Sequence, residues 1–266
     1  MLKRIARTGI GAAVFMTLFQ HGLLAQLKFT LHTDLNRVDA AAPSDWSALV
    51  SQLAGQVIPA GGVDHVVLVS DKAMLMEQKQ PFAGMAGGVL TLFREGQQFG
   101  IDPASKTFWK IRPFTDSELQ ATAASKPDVK VTRTGEVQTI NGMRAERVTT
   151  VITLKMPRDA AGTTFPGFPT EPAMTFDVWV TDAVKVPAGW VPLIDQKVLA
   201  QLGIAHVQDF TDKKLLVRAV VKLNLIPDFE IVMTVRDLTT EPVPDSVFEI
   251  PAGYKEIPPP ANRGGN

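Results

Sequence analysis

The stretch TRTGEVQTINGMRAERVTTVITLKM, residues 132–156, decides the fold. Two runs of alternating apolar and polar residues meet in it at Asn141-Gly142. Asn-Gly between such runs is the strongest short-range signal of a β-hairpin, because both residues tolerate the positive φ angles of a type I′ turn. A third run, FDVWVT at 176–181, follows a proline-rich loop, and we expect it to pair nearby. The stretch therefore predicts an antiparallel sheet.

Alternating runs recur along the rest of the chain and predict further strands. Six lie before the hairpin, at 27–35, 66–69, 74–77, 89–93, 97–101 and 107–111. Two longer runs follow it, at 217–225 and 229–235, and each has one wholly apolar face. About ten strands with few helices predict a mainly β (α+β) protein. We expect a strongly curved antiparallel sheet that forms a half-open barrel, with two or three helices against its concave side.

Three segments carry helix signals. Ser44 can cap an amphipathic helix over 44–57, and the capping box Thr115 to Glu118 predicts a short helix that ends at 125. A third helix is expected over 192–202, with Pro192 at its start and Gly203 after its end. These helices would lie on the sheet.

Residues 1–25 have the pattern of a cleaved signal peptide, because three basic residues precede an apolar run at 9–19. Cleavage is expected after Ala25. A retained membrane anchor would need about 20 uninterrupted apolar residues, and Gln20 and His21 break the run. The pattern predicts a periplasmic or secreted protein with no membrane span after cleavage. We expect one domain over 26–257 and a disordered tail over 258–266.

The mature chain is mildly acidic. Removal of three basic residues leaves 24 against 27 acidic ones, a net charge of about −3, and no stretch is dense in Lys or Arg. The sequence therefore predicts no nucleic-acid partner and no electrostatic binding to phosphates or to an anionic membrane surface. There is no cysteine, which excludes both disulfides and a lipid anchor on an N-terminal cysteine.

No catalytic constellation is visible. The four histidines are isolated, with no metal-binding spacing, and no GxSxG nucleophile motif occurs. The glycines at 84–88 lack the spacing of a phosphate-binding loop. We expect no cofactor, no metal and no enzyme activity.

Four motifs resemble, in their order, those of an exported bacterial family of unknown function, DUF4412. They are KTFWKI (106–111), TGEVQTINGMRAERV (134–148), DVWVTD (177–182) and DSVFEIPAGYKEI (245–257). That family is in turn similar to the LolA/LolB-like periplasmic lipoprotein carriers. The resemblance covers about 93–257. It implies a half-open β-barrel lidded by helices, with an apolar cavity for acyl chains and no known activity.

The expected ligand site is the apolar face of the last strands, together with the proline-rich loop at 157–173. Its candidate residues are Phe176, Val178, Val180, Val221, Leu223, Ile231, Met233, Phe165 and Phe168. The two loop phenylalanines either form a flap over an apolar opening or pack into the main core. Trp109 and Trp179 either line a cavity mouth or cover the convex side of the sheet, where alternation places Trp179 beside Asp177 and Thr181.

Two functions fit this pattern. The first is a non-catalytic binding protein for a lipid, an acyl chain or a lipoprotein, which would bury acyl surface in the barrel. The alternative is an envelope structural or interaction module, whose core is filled by its own helices and whose exposed strand edge binds a partner. The oligomeric state is left open.

Overall fold

A computed structural model describes residues 26–38, 58–81, 87–112, 128–153, 171–188, 214–224 and 228–260. Several predicted segments lie outside these ranges. They are the signal peptide, the three helices, most of the proline-rich loop with Phe165 and Phe168, residue Leu225 of the strand at 217–225, and residues 261–266 of the tail.

The described residues form one sheet of twelve strands, which is large and curved. In chain order the strands are β1 (Leu27–Arg37), β2 (Val63–Val69), β3 (Ala73–Gln78), β4 (Leu90–Arg94), β5 (Gln97–Asp102), β6 (Thr107–Ile111), β7 (Asp128–Ile140), β8 (Met143–Thr153), β9 (Ala173–Thr181), β10 (Leu215–Leu223), β11 (Phe229–Thr239) and β12 (Lys255–Glu256). A short 3-10 helix, Asp245–Phe248, precedes β12. The predicted antiparallel sheet is confirmed, and it has two more strands than expected.

The spatial order is β12-β6-β5-β4-β3-β2-β1-β11-β10-β9-β8-β7. It consists of two local meanders, β2–β6 and β7–β11, which β1 joins by pairing with β2 on one side and β11 on the other. All neighbouring strands are antiparallel except β12, which runs parallel to β6. Most connections within the first meander are short, which favours antiparallel neighbours.

The hairpin predicted from Asn141-Gly142 is confirmed. Ile140 pairs with Met143, and the two turn residues have φ angles of 49° and 78°. These are the positive angles that a type I′ turn demands. The side chain of Asn141 also donates a 2.5 Å hydrogen bond to the carbonyl oxygen of Val235 in β11. Since β9 and β10 separate β8 from β11 in the sheet, the hairpin tip must curl back across them.

Strand register fixes which side chains share a side of the sheet, because residues directly opposite each other lie on the same face. Leu31 of β1 lies between His65 of β2 and Val235 of β11. We call the side that carries these three residues, and the residues in register with them, the inner face. Along β1 and β2 the inner-face side chains are mostly buried, and they alternate with more exposed ones on the opposite side, the outer face.

The outer face of the first meander is apolar too, and the end of the chain covers it. Phe248, in the 3-10 helix, is buried in a cluster with outer-face side chains of β3, β4 and β5: Ala73, Leu75, Leu92 and Ile101. The carbonyl oxygen of Phe248 accepts a hydrogen bond from Arg94, and the backbone of Val243 donates one to the side chain of Gln26. The motif at 245–257 therefore packs across the outer face of the first meander.

Trp109 lies on the inner face, in register with Gly100 of β5. A methyl group added at Gly100 would overlap the indole ring, so this ring packs flat on the sheet where glycine leaves room for it. Trp179 lies on the outer face of β9, in register with Arg147 and Arg218. The two tryptophans therefore lie on opposite faces, and Trp179 has the side that alternation predicts.

Candidate functional site

Seven of the nine predicted site residues lie together on the inner face of β9, β10 and β11. One register row contains Phe176, Val221 and Ile231 and continues to Leu35 of β1. The other four lie in nearby rows. Val178 and Met233 are both in register with Ala219 of β10. Leu223 is in register with Met174, and Val180 is in register with Leu216. The register thus brings together the residues chosen by period-2 alternation. Phe165 and Phe168 lie outside the described residues.

One end of the inner face is closed. Five inner-face side chains at this end, from β1, β2, β3, β9 and β11, are at most 1% exposed: Leu27, Val69, Met74, Val180 and Val235. Residues 182–188 cross from the end of β9 toward the β2–β3 turn, where the backbone of Ala188 donates a 3.2 Å hydrogen bond to Asp71. Val184 and Val186 of this segment pack on the same apolar cluster as Leu27.

Toward the other end of the strands, Ile152, Val221 and Phe229 are buried, whereas five other apolar side chains are only partly buried. We call these five residues the open patch: Leu35, Met174, Phe176, Leu223 and Ile231. They come from four neighbouring strands, so they form a continuous apolar surface rather than scattered exposed side chains. Met233 lies next to the patch and is also partly exposed. The inner face therefore grades from a sealed apolar end to an accessible apolar end.

Polar side chains also occur on the inner face, among them His65, Gln78 and Thr150. His65 and Gln78 are in register on β2 and β3, and both are buried. Burial lowers the pKa of the His65 imidazole below its ordinary value of 6.5, against the opposing effect of the Asp64 charge, so the ring is neutral at pH 7. Thr150 of β8, opposite Phe176, is buried, and its hydroxyl has no hydrogen-bond partner within the described ranges.

Asp228 immediately precedes β11. It is 2% exposed, and neither carboxylate oxygen has a hydrogen-bond partner in the described part of the chain. A buried carboxylate in that state costs several kcal/mol, so few proteins retain one without a reason. Sequence reasoning missed this burial, because Pro227-Asp228 has the pattern of an exposed tight turn.

On the outer face of the second meander, charged side chains lie around Trp179. Arg147 of β8 and Arg218 of β10 place their guanidinium carbons 5.3 Å and 5.4 Å from the centre of the indole ring. Arg147 also donates a 2.7 Å hydrogen bond to Glu136 and bonds of 3.1 Å and 2.9 Å to Asp177. The bonds to Glu136 and then Asp177 raise the pKa of Arg147 above its ordinary value.

A hydrogen bond on the outer face joins His32 of β1 to Asp64 of β2. Nδ1 of His32 lies 2.7 Å from Oδ1 of Asp64, and this hydrogen bond lowers the pKa of the Asp64 carboxyl. A histidine oriented by a carboxylate is half of a catalytic triad. Among the described residues no hydroxyl or thiol nucleophile is hydrogen-bonded to His32, and no three His, Asp or Glu side chains group as metal ligands.

No protein-family model matches the chain, and no curated protein matches its sequence. Solved structures resemble it weakly. An uncharacterized conserved protein from Thermus thermophilus has a TM-score of 0.45 and 9% identity, over 89% of this chain and 92% of that one. The Mycobacterium tuberculosis lipoprotein LppX has a TM-score of 0.34 and 14% identity, over 83% and 89%. A LolA superfamily protein from Nitrosomonas europaea has a TM-score of 0.33 and 9% identity, over 85% and 90%. Scores this low carry no argument about function.

Proposed function

We propose that the protein binds a lipid-like ligand, with an acyl chain lying on the open patch and its tip directed toward the closed end of the inner face. The observation that supports this function is the continuous row of Leu35, Ile231, Val221 and Phe176, in which only Val221 is buried. These apolar side chains come from four strands and keep some solvent-exposed surface. Covering that surface with a hydrocarbon stabilises the complex by about 25 cal/mol per Å² of apolar area buried. No covalent step is involved.

The finer form of the proposal is a half-open barrel. In it, the curved sheet surrounds the ligand, the helices expected at 44–57 and 192–202 lie against the inner face, and Phe165 and Phe168 cover the opening. Membership of the DUF4412 family and a LolA-like carrier role belong to the same proposal. So does export to the periplasm or the medium through the signal pattern at 1–25. Within the described residues, no helix has the length and apolar character needed to cross a bilayer.

The proposal is tested by native mass spectrometry of the mature protein purified from its own envelope, followed by lipid extraction. We expect a reproducible co-purifying lipid, and uptake of a fluorescent fatty acid by the stripped protein. A clean apo mass together with no fatty-acid uptake would contradict the proposal. In that case the inner face is filled by the protein's own side chains.

Matched variants locate the site. Phe176→Gln and Ile231→Gln introduce polar side chains into the open patch, and we expect each to weaken fatty-acid binding about tenfold, the equivalent of about 1.4 kcal/mol. Thr175→Gln and Glu230→Gln change the adjacent residues of the same strands, whose side chains lie on the outer face. These controls should bind like the wild type. Equal losses in both pairs would show that the fatty acid does not bind at the open patch.

A second candidate function follows from β7. This strand is at one edge of the sheet, it is exposed over most of its 13 residues, and Val131 and Val137 are 41% and 44% exposed. An exposed edge can bind another strand and so support an envelope interaction module. However, the register shifts between Arg133 and Val137, around Gly135, and such a bulge interrupts edge pairing. A mass that increases with protein concentration, and not in a Val137→Lys variant, would favour this function.

A further inference from the structure

Two arginines at neighbouring positions on the outer face of β10 and β11 form no ion pair among the described residues. Arg218 of β10 lies directly opposite Thr234 of β11, and Arg236 is two residues further along β11 on the same face. Diagonal neighbours of this kind are separated by about 7–8 Å, within the reach of long side chains. Across the described part of the chain, neither guanidinium has a carboxylate within ion-pair distance. Both arginines therefore lie at positions next to Thr234, and neither forms an ion pair in the described part of the chain.

The nearby acids are engaged elsewhere. Asp177, diagonal to Arg218, accepts hydrogen bonds from Arg147 and from the hydroxyl of Thr149. Asp64 is near enough to Arg236 for the arginine charge to act on it, yet its carboxylate is bonded to His32. Arg147 and Arg218 stack on the same indole, but only Arg147 is neutralised by acids. This asymmetry leaves a local positive charge on the outer face of an otherwise acidic chain.

Two buried donors beside this charge also lack acceptors. The Nε1–H of Trp179 and the Nε–H of Arg218 have no hydrogen-bond partner among the described residues, and their side chains are in register on β9 and β10. Unsatisfied buried donors are costly, and an arginine fork is suited to a planar or tetrahedral oxyanion. One incoming anionic group would neutralise the two arginines, and a side-chain rearrangement that exposes these donors would let it accept from them.

We propose that Arg218 and Arg236 bind one phosphate-type oxyanion over Thr234 on the outer face. In this proposal the hydroxyl of Thr234 and the indole Nε1–H of Trp179 would donate to the same group. Linear charge density missed this site because the two arginines come from different strands and each is flanked in sequence by uncharged or acidic residues. The site lies on the opposite side of the sheet from the open patch, so its test is independent of the acyl-binding proposal.

The first test is a titration of the mature protein with inorganic phosphate at constant ionic strength, with chloride as the balancing anion. We expect the indole N–H resonance of Trp179 to shift in ¹H–¹⁵N spectra as its proton gains an acceptor. Arg218→Gln should weaken phosphate binding about tenfold, and Arg236→Gln should weaken it by a smaller factor. Lys222→Gln is the control, because Lys222 lies on the same face of β10 and already pairs with Glu230.

The absence of a shift in the wild type would overturn the proposal, as would an unchanged phosphate affinity in both arginine variants. If Arg218→Gln fails to fold, the more exposed Arg236 still provides the test. Vesicle flotation then separates the sources of the oxyanion. Binding to phosphatidylglycerol vesicles that disappears in Arg236→Gln identifies a lipid headgroup. A phosphate-dependent shift without vesicle binding identifies a free phosphate ester, and both results support the site.

Discussion

The side-chain amide of Asn141 donates a hydrogen bond to the carbonyl oxygen of Val235, across two intervening strands of the sheet. Asn141 therefore has two roles, since it also adopts the positive φ of the hairpin turn. Asn141→Gly keeps the turn and removes only the hydrogen bond, so we expect it to lower the free energy of unfolding by about 1 kcal/mol. Asn141→Ala adds backbone strain of about 1 kcal/mol. Urea denaturation measures both, and equal stability of Asn141→Gly and the wild type would show that the long-range bond is not significant.

The packing of Trp109 on Gly100 predicts a strong coupling between these two positions. Gly100→Ala forces the indole away from the sheet, and we expect a loss of about 1–3 kcal/mol. In a Trp109→Leu background the same change should cost much less, because the overlapping ring is gone. A double-mutant cycle by chemical denaturation gives the coupling free energy. Additive effects would mean that another contact determines the need for glycine.

Two buried aspartates should respond oppositely to the same substitution. Asp177 is buried and receives hydrogen bonds from the part-exposed Arg147 and from Thr149, so Asp177→Asn weakens charge-assisted hydrogen bonds and should cost about 2 kcal/mol. Asp228 has no hydrogen-bond partner in the described part of the chain, so Asp228→Asn removes an uncompensated charge and should be neutral or stabilising. Thermal unfolding compares the two.

Glu136→Gln is the control for Asp177→Asn, because Glu136 is an exposed partner of the same Arg147. This substitution should lower the free energy of unfolding by less than about 1 kcal/mol. A large loss of stability in Asp228→Asn would reveal a partner for that carboxylate.

The buried His65 predicts a pH dependence of folding. Its pKa in the folded protein is below the ordinary 6.5 because burial disfavours the charged ring. Below pH 6.5 the unfolded chain therefore binds more protons than the folded protein does. The free energy of unfolding falls as the pH is lowered from 6.5 to the pKa of His65 in the folded protein. Urea midpoints across this range should fall with pH in the wild type and fall less steeply in His65→Gln. Parallel curves for the two proteins would contradict the assignment to His65.

Local chemistry made the strands and their faces predictable. Asn141-Gly142 has one favoured turn, and alternation put Phe176, Val221 and Ile231 on one side of their strands, so the inner face could be predicted without a structure. Pairing between distant segments could not be predicted. Nothing local indicates that β1 pairs with β11, that Phe248 packs on β3–β5, or that Arg218 and Arg236 lie on the same face of a strand pair, because each depends on the global strand order. The burial of Asp228 is likewise a tertiary property.

The pairing of β1 with β11 has a consequence for how the chain folds. Each meander can form from contacts close in sequence, whereas the junction between them joins residues 27–37 to residues 229–239. Closing so long a loop is entropically costly and slow, and it requires nearly the whole chain. We therefore expect the two half-sheets to form before the junction does, and each then exposes an unpaired edge until β1 and β11 meet. The nascent chain is most vulnerable to aggregation in that interval, and shielding the edge of β11 would protect it.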